Sequence, residues 1–490
     1  MTPPNSGAGV PPVVKFPHRS RRGVLLGMSA MQLATAGLGL VLVMGALTSG
    51  GVILALQLAP ALALLAGLIW TRRGGIPLTD WMPVLARYGL RRLHGQLEWL
   101  ARPATRPAVA GLLHLPGAAG SLRLITAPSG HYAAIHDPHA RTLTVVVRVA
   151  SRAFALLDPA TQNAHVHGWG RALAALARTG HIRSVQVLER TVPDSGDALV
   201  RHFTEHGRPE AGMAVGVYRD LVEAAGPAAA PHESYVALAF DLKAARRLIN
   251  QAGGGLSGAF MVLNQLVASF NQAARGAGIY SLGWLDAQEI AAVIRTAYDP
   301  KALPALQRWS PTTTARAAPA AAGPVVQIEE PGLIRTDTAV HCTYWIENWP
   351  RTETSPGFLH QVMFTSGVRR SVSLTYRPAS IDAALRDVQR RKAGIVAEAA
   401  ERQRRGRVDS EAHSMEYADV QERERQLIAG HADVAFTGLV TVSADTTEAL
   451  HAACAQIETA AVSAQIDLRR LTYRQAEAFT AAALPLALAA

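Results

Sequence analysis

The sequence predicts an α+β protein: an N-terminal pair of transmembrane helices, followed by a cytoplasmic mixed α/β body that carries a long charged helical hairpin. Three observations predict it. No Asp, Glu, Lys, Arg or His occurs from Gly23 to Thr71, although basic residues crowd both ends of that run. Beyond Leu122, stretches of strand period alternate with stretches of helix period. From Ile381 to Ala429, arginine and glutamate become dense at helical spacing.

The elements follow in order. Residues 1–22 form a basic arm with Lys15, Arg19, Arg21 and Arg22 and no acid. A bilayer core of roughly 30 Å takes about 20 apolar helical residues, so the uncharged run 23–71 is too long for one span and suits two. The turn-forming Thr48-Ser49-Gly50-Gly51 divides it into Val24–Leu47 and Val52–Trp70. Arg72, Arg73, Arg87, Arg91 and Arg92 then stand against a lone Asp80. Cytoplasmic flanks are the basic ones, so both ends of the pair, and both termini, are expected on the cytoplasmic side of the membrane. A cleaved signal peptide would have a shorter apolar region, without a second span and second basic cluster behind it.

Residues 72–121 read as a juxtamembrane segment and linker. Pro77–Leu100 mixes Trp81, Tyr88 and Trp99 with arginines, as a helix at headgroup level would. A first α+β region, 122–314, opens with HYAAIHDPHARTLTVVVRVA, a strand pair turning at Asp137-Pro138. It continues with a helix at 161–178, strands at 184–188 and 232–240, and helices at 256–274 and 286–298, the last capped by Asp286. ARAAPAAAGP, 315–324, reads as a linker. The second α+β region, 325–490, repeats the alternation with strands near 339–346 and 371–376. Within it, 381–429 breaks near Gly406–Asp409 and makes the two antiparallel charged helices.

The net charge of +11 does not indicate DNA contact, because much of the excess lies beside the membrane, where arginine attracts anionic lipid headgroups. Cys342 and Cys454 are far apart, with no CxxC pattern, and read as buried thiols. His136, Asp137 and His139 are metal-capable types, but no further ligand cluster accompanies them, so no metal is expected. Gly253-Gly254-Gly255 suggests a phosphate loop, yet the lysines (Lys15, Lys243, Lys301, Lys392) all lack the glycines and hydroxyl of a Walker A motif. No G-x-S-x-G or H-E-x-x-H motif occurs. Glu189–Asp197 (ERTVPDSGD) reads as a solvated loop. No cofactor and no catalytic residue is therefore expected.

The C-terminal stretch from Ala429, with Tyr473, Gln475, Phe479 and Leu484-Pro485-Leu486, resembles the end of the N-terminal domain of the transfer ATPases of conjugative type IV secretion systems. The front end resembles the PrgI-like membrane subunit of the same machines: basic arm, two close helices, then an amphipathic segment with Trp81 and Pro83. The combination, with HDPHARTLTVVVRV and LERTVPDSGDAL, is similar to an actinobacterial family of conjugation proteins that joins a PrgI-like pair to a motorless copy of the ATPase domain. That resemblance implies a structural subunit that docks the transfer ATPase and other secretion subunits, and it is compatible with a homo-oligomer. It makes Tyr473, Gln475 and Phe479 candidate docking residues, beside the charged cluster Arg402, Arg404 and Arg405. The EccE component of type VII secretion also has two N-terminal membrane helices, and a membrane-tethered nucleotide hydrolase is the alternative of a different class.

Overall fold

The computed structural model describes residues 16, 29–101, 109–151, 154–192, 207, 212–225, 231–308, 315–350, 352–379, 381–404, 411–428 and 433–488. The chain is mixed α/β and divides into two compact units: residues 17–98 with 472–474, and the remainder.

In the smaller unit, α1 (Ala30–Gln57) is helical except at Gly51 (φ 65°, ψ −160°), and α2 (Ala59–Trp70) follows. The first helix thus runs on through Thr48-Ser49-Gly50, which the sequence assigns to a turn. Thr48 Oγ1 donates to Met44 O at 3.0 Å and Ser49 Oγ to Gly45 O at 2.6 Å, so both hydroxyls are satisfied inside the helix. Val52–Trp70, expected as one helix, is interrupted at Leu58. Pro60 stands in the first turn of α2, lacks an N–H, and disfavours helix continuity from the residues before it. Ala30–Ile53 is long and apolar enough to cross a membrane; α2 alone, with 12 residues, is not. Val24–Met28 lie outside the described residues.

Gln32 is buried, and its Nε2 donates to Ile69 O at 2.8 Å, while Gly39 faces Leu62 and Leu65. The outward side chains Leu38, Leu40, Val41, Met44, Val52 and Ile53 are exposed. After the short strands β1 (Arg72–Arg73) and β2 (Ile76–Pro77), α3 (Leu78–Leu93) carries Asp80, whose carboxylate accepts from Ser29 Oγ at 2.7 Å.

The larger unit is built on one sheet. Its strands are β3 (Glu98–Leu100), β4 (Arg123–Thr126), β5 (Ala133–Asp137), β6 (Thr142–Ser151), β7 (Ile182–Thr191), β8 (His232–Asp241) and β9 (Ile279–Trp284), then β10 (Val326–Glu329), β11 (Ile334–Arg335), β12 (Val340–Asn348), β13 (Arg369–Pro378), β14 (Val434–Ala444) and β15 (Asp467–Arg470). Its helices are α4 (Pro159–Thr179), α5 (Met213–Ala225), α6 (Arg246–Gln251), α7 (Gly255–Arg275), α8 (Ala287–Tyr298), α9 (Leu303–Arg308), α10 (His360–Met363), α11 (Ile381–Arg404), α12 (Glu411–Ile428), α13 (Thr447–Ser463) and α14 (Gln475–Ala483).

Apart from the edge strand β3, which pairs with β10, the strand order β4-β5-β6-β8-β7-β13-β14-β12-β11-β10 is a palindrome in topology. Each half has three antiparallel strands, a helix, a long strand, an excursion, a second long strand, a helical segment (α6 and α7 in the first half, α13 in the second), a short strand and a closing helix. The short strand returns to the third strand in both halves: β9 to β6, β15 to β12. The halves meet where β7 and β13 pair antiparallel, from Arg190 opposite Ser371 to Val185 opposite Tyr376. The two α+β regions that the sequence separates therefore share one sheet. The expected linker is packed as well: Ala322 is fully buried, and Gly323 leaves no room for a Cβ against His114 O.

Strand alternation sends odd and even residues to opposite faces. On one face, α4 and α7 cover Val145, Val147, Val185 and Leu238, and α13 covers Val340, Cys342, Tyr344 and Val442. On the other face, a single core containing Ile290 and Tyr298 of α8 and Phe479 of α14 covers Val146, Leu188 and Tyr235. In the second excursion, α11 and α12 share a small core of Ala384, Val388, Ile395, Val420 and Leu427. Lys392 Nζ lies 2.9 Å from Glu424 and Arg423 lies 3.2 Å from Asp387.

Candidate functional site

The expected docking residues separate in the structure. Gln475 (0% exposed) and Phe479 (1%) are core residues. Gln475 Oε1 accepts from Thr343 N at 2.8 Å, and its Nε2 donates to Leu471 O at 3.0 Å. The Phe479 ring packs 5.1 Å from Tyr298 and 4.5 Å from His341. Both hold the C-terminal segment inside the body and offer no surface to a partner, which corrects the sequence expectation. Tyr473 groups with the smaller unit, in positive φ (65°), with its ring 5.0 Å from Tyr88 and 6.2 Å from Trp81. Arg404 is exposed at the end of α11; the Arg402 side chain and all of Arg405 lie outside the described residues.

What the C-terminal segment does is close the seam between the halves. The central strands carry polar residues on this face: Ser184 and Gln186 on β7, Ser373 and Thr375 on β13, Thr441 on β14, all buried. The alanine-rich α14 covers them closely enough for side chains to reach its backbone. Gln186 Nε2 donates to Ser373 Oγ (2.9 Å), Ala481 O (3.1 Å) and Leu484 O (3.0 Å), and its Oε1 accepts from Ala487 N (2.7 Å). Ser184 Oγ donates to Ala487 O at 2.6 Å. The Leu-Pro-Leu element is thus fixed by residues about 300 positions earlier, a dependence no local pattern signals.

A second polar cluster lies at the far end of the same seam. Glu189, Arg190 and Thr191 belong to β7 rather than to the solvated loop expected at 189–197; Pro193–Asp197 lie outside the described residues. Arg190 is 5% exposed. Its Nη2 meets Glu233 Oε2 at 2.6 Å, and Nη1 donates to Val293 O at 2.8 Å and Thr296 Oγ1 at 3.1 Å. Tyr235 OH donates to the same Glu233 oxygen at 2.8 Å. Burial alone would raise the Glu233 carboxyl, but Arg190 and Tyr235 hold it below its ordinary value.

Glu189 differs. Burial pushes it up to about 7, against the opposing effects of the Ser234 hydroxyl and Arg370. Burial likewise brings Arg370 down to about 10. Ser234 Oγ donates to Glu189, and His232 Nδ1 is 3.3 Å from the other carboxylate oxygen. The carboxylate therefore takes the hydroxyl proton's bond directly. A nucleophilic relay needs the hydroxyl on the imidazole and the imidazole on the carboxylate, so this set is not arranged for one.

The remaining motifs have structural uses. Asp137 Oδ1 accepts from His139 N (2.8 Å) and Ala140 N (2.9 Å), fixing the turn between β5 and β6. Gly253, Gly254 and Gly255 all have positive φ (98°, 74°, 59°) and join α6 to α7. Gly258 then lets the helices touch, since a Cβ there would lie 2.5 Å from Ile249 O. Cys342 and Cys454 are free and buried. Among the described residues no group of three or more His, Cys, Asp or Glu could hold a metal ion. No protein-family model matches the chain, and no curated protein matches it.

Proposed function

We propose that this chain is a non-enzymatic structural component of a bacterial inner-membrane DNA-transfer apparatus of the type IV secretion class, anchored by two spans with both termini in the cytoplasm, and that it docks the transfer ATPase. The observation that carries the membrane reading is the surface of α1. Its leucines, valines and methionines are exposed over most of the helix, an arrangement that costs free energy in water and none in lipid. In this reading the kink at Gly51 lets residues 52–70 return across the bilayer beside residues 30–50, with Pro60 interrupting the returning arm. The machine itself is assigned by the resemblance of the two ends of the chain to the PrgI-like subunit and to the ATPase N-terminal domain.

The absence of a Walker A lysine supports a role without nucleotide turnover, and so does the use of the triglycine as an inter-helix turn. The charged helical hairpin of α11 and α12 is the docking projection in this reading, because Arg404 is exposed at the end of α11. Rim charges of this kind govern encounter and specificity more than folding. The test is affinity purification from native membranes. The unaltered chain should recover a transfer ATPase, and the triple change Arg402→Glu, Arg404→Glu, Arg405→Glu should deplete it while membrane insertion is unchanged. Recovery of small type VII substrates, or of other subunits without any ATPase, would sink the assignment.

A further inference from the structure

On the face covered by α4 and α13, a row of aromatic side chains crosses the seam between the halves. Trp169 of α4 lies 6.2 Å from Tyr376 of β13, and Tyr376 lies 6.4 Å from Phe436, its direct partner on β14. Phe436 is 5.0 Å from Trp349, and Trp349 is 6.2 Å from Phe358. Gly438 makes this possible: a Cβ there would come 2.8 Å from Trp349 Cζ2, so only glycine lets the indole lie against β14. At one end of the row sits a residue from the opposite end of the sequence. The Phe16 ring stacks on Trp349 at 5.1 Å and 27°, meets Phe358 edge-on at 5.3 Å, and lies 5.9 Å from Phe436.

We propose that this aromatic row is the docking groove for Phe16 of the chain's own N-terminal arm, and that the docked ring holds residue 16 and the body on one side of the membrane. The geometry favours this occupant: three rings enclose Phe16 in one stacked, one edge-on and one tilted contact, each within the range of favourable aromatic pairs. Residue 16 precedes the apolar helices and Trp349 follows them. A contact between them requires an even number of crossings in the intervening chain. Taken with the membrane reading above, on which this rests, it makes residues 52–70 the second crossing.

The test uses the full chain in native membranes with the photoreactive residue p-benzoylphenylalanine at position 16. Illumination should give a product that migrates as a single chain and whose cross-linked peptides contain Trp349, Phe358 or Phe436. Phe358→Ala, which removes one wall formed by a half-buried side chain, should lower the yield about fivefold. Cross-links joining two copies of the chain, or reaching only lipid or another protein, would overturn in-chain docking; so would a yield indifferent to Phe358→Ala. A cysteine at Gly50, in a background without Cys342 and Cys454, reports the membrane reading independently. If it fails to react with an impermeant thiol reagent outside the cell while the internal cross-link forms, the spans are refuted and the groove stands.

Discussion

Replacing Gln186 by leucine should detach the C-terminal segment from the seam. The two side chains have similar volume, so the change removes hydrogen bonds without opening a large cavity. Ala481 O, Leu484 O and Ala487 N lose their contacts with the amide in a site that is fully buried. Leu484 O keeps the bond from Leu486 N at 2.9 Å, so Ala481 O and Ala487 N are the two left unsatisfied, and at about 1–3 kcal/mol each they give about 2–6 kcal/mol. That is a large part of the 5–15 kcal/mol that typically holds a domain together. Because α14 is a terminal element, the loss should appear first as local opening rather than global unfolding. Amide hydrogen exchange of the full chain in detergent would read it: peptides covering 475–487 should exchange at least tenfold faster, while peptides from β6 and β8 change little. Gln361→Leu, on an exposed side chain, is the control. Unchanged protection of 475–487 in Gln186→Leu would refute the reasoning.

Glu189→Gln should stabilise the fold above pH 7 and make little difference near pH 5. The folded carboxyl near 7 binds its proton more tightly than the unfolded one at 4.5, so stability falls as pH rises between those values, with a ceiling of about 3 kcal/mol. Ser234, His232, Arg370 and Glu233 face or flank it, and thermal melts of the variant across pH 5–8 would check the sign. Gly168→Ala should destabilise by about 1–3 kcal/mol, because its Cβ would lie 2.2 Å from Gly276 O and 2.8 Å from Ala277 Cα, both backbone atoms. Gly170→Ala in the same helix meets nothing within 4 Å and should stabilise by about 0.5–1 kcal/mol, so urea midpoints should move in opposite directions for the pair.

Local pattern carried the elements well. β6, β8, α4 and α7 fall within two residues or so of the spans read from periodicity, and α8 opens with the Asp286 cap as expected, completed by Glu289 into a capping box. The long-range arrangement was not legible. Nothing in β7 or β13 announces that the two will pair across nearly two hundred residues, and their polar alternation mimics a solvated edge. The same blindness misplaced Gln475 and Phe479: in sequence they look like a recognition motif, and only the register of β12 against α14 reveals them as internal. At Pro60 the signal is local, since a ring nitrogen without hydrogen predicts the interruption at Leu58 by itself.

The palindromic order of the sheet bears on how this body can be asymmetric. In a dimer of identical chains, a two-fold axis obliges anything that grows from one subunit to grow from the other. Here the two equivalents are tied into one polypeptide with different sequences, so each connection between the long strands is free to differ. One carries α5; the other carries the paired, charged α11 and α12. A single molecule can therefore present one pole to one neighbour and another pole to a second, a vectorial property that a symmetric pair of subunits could not supply.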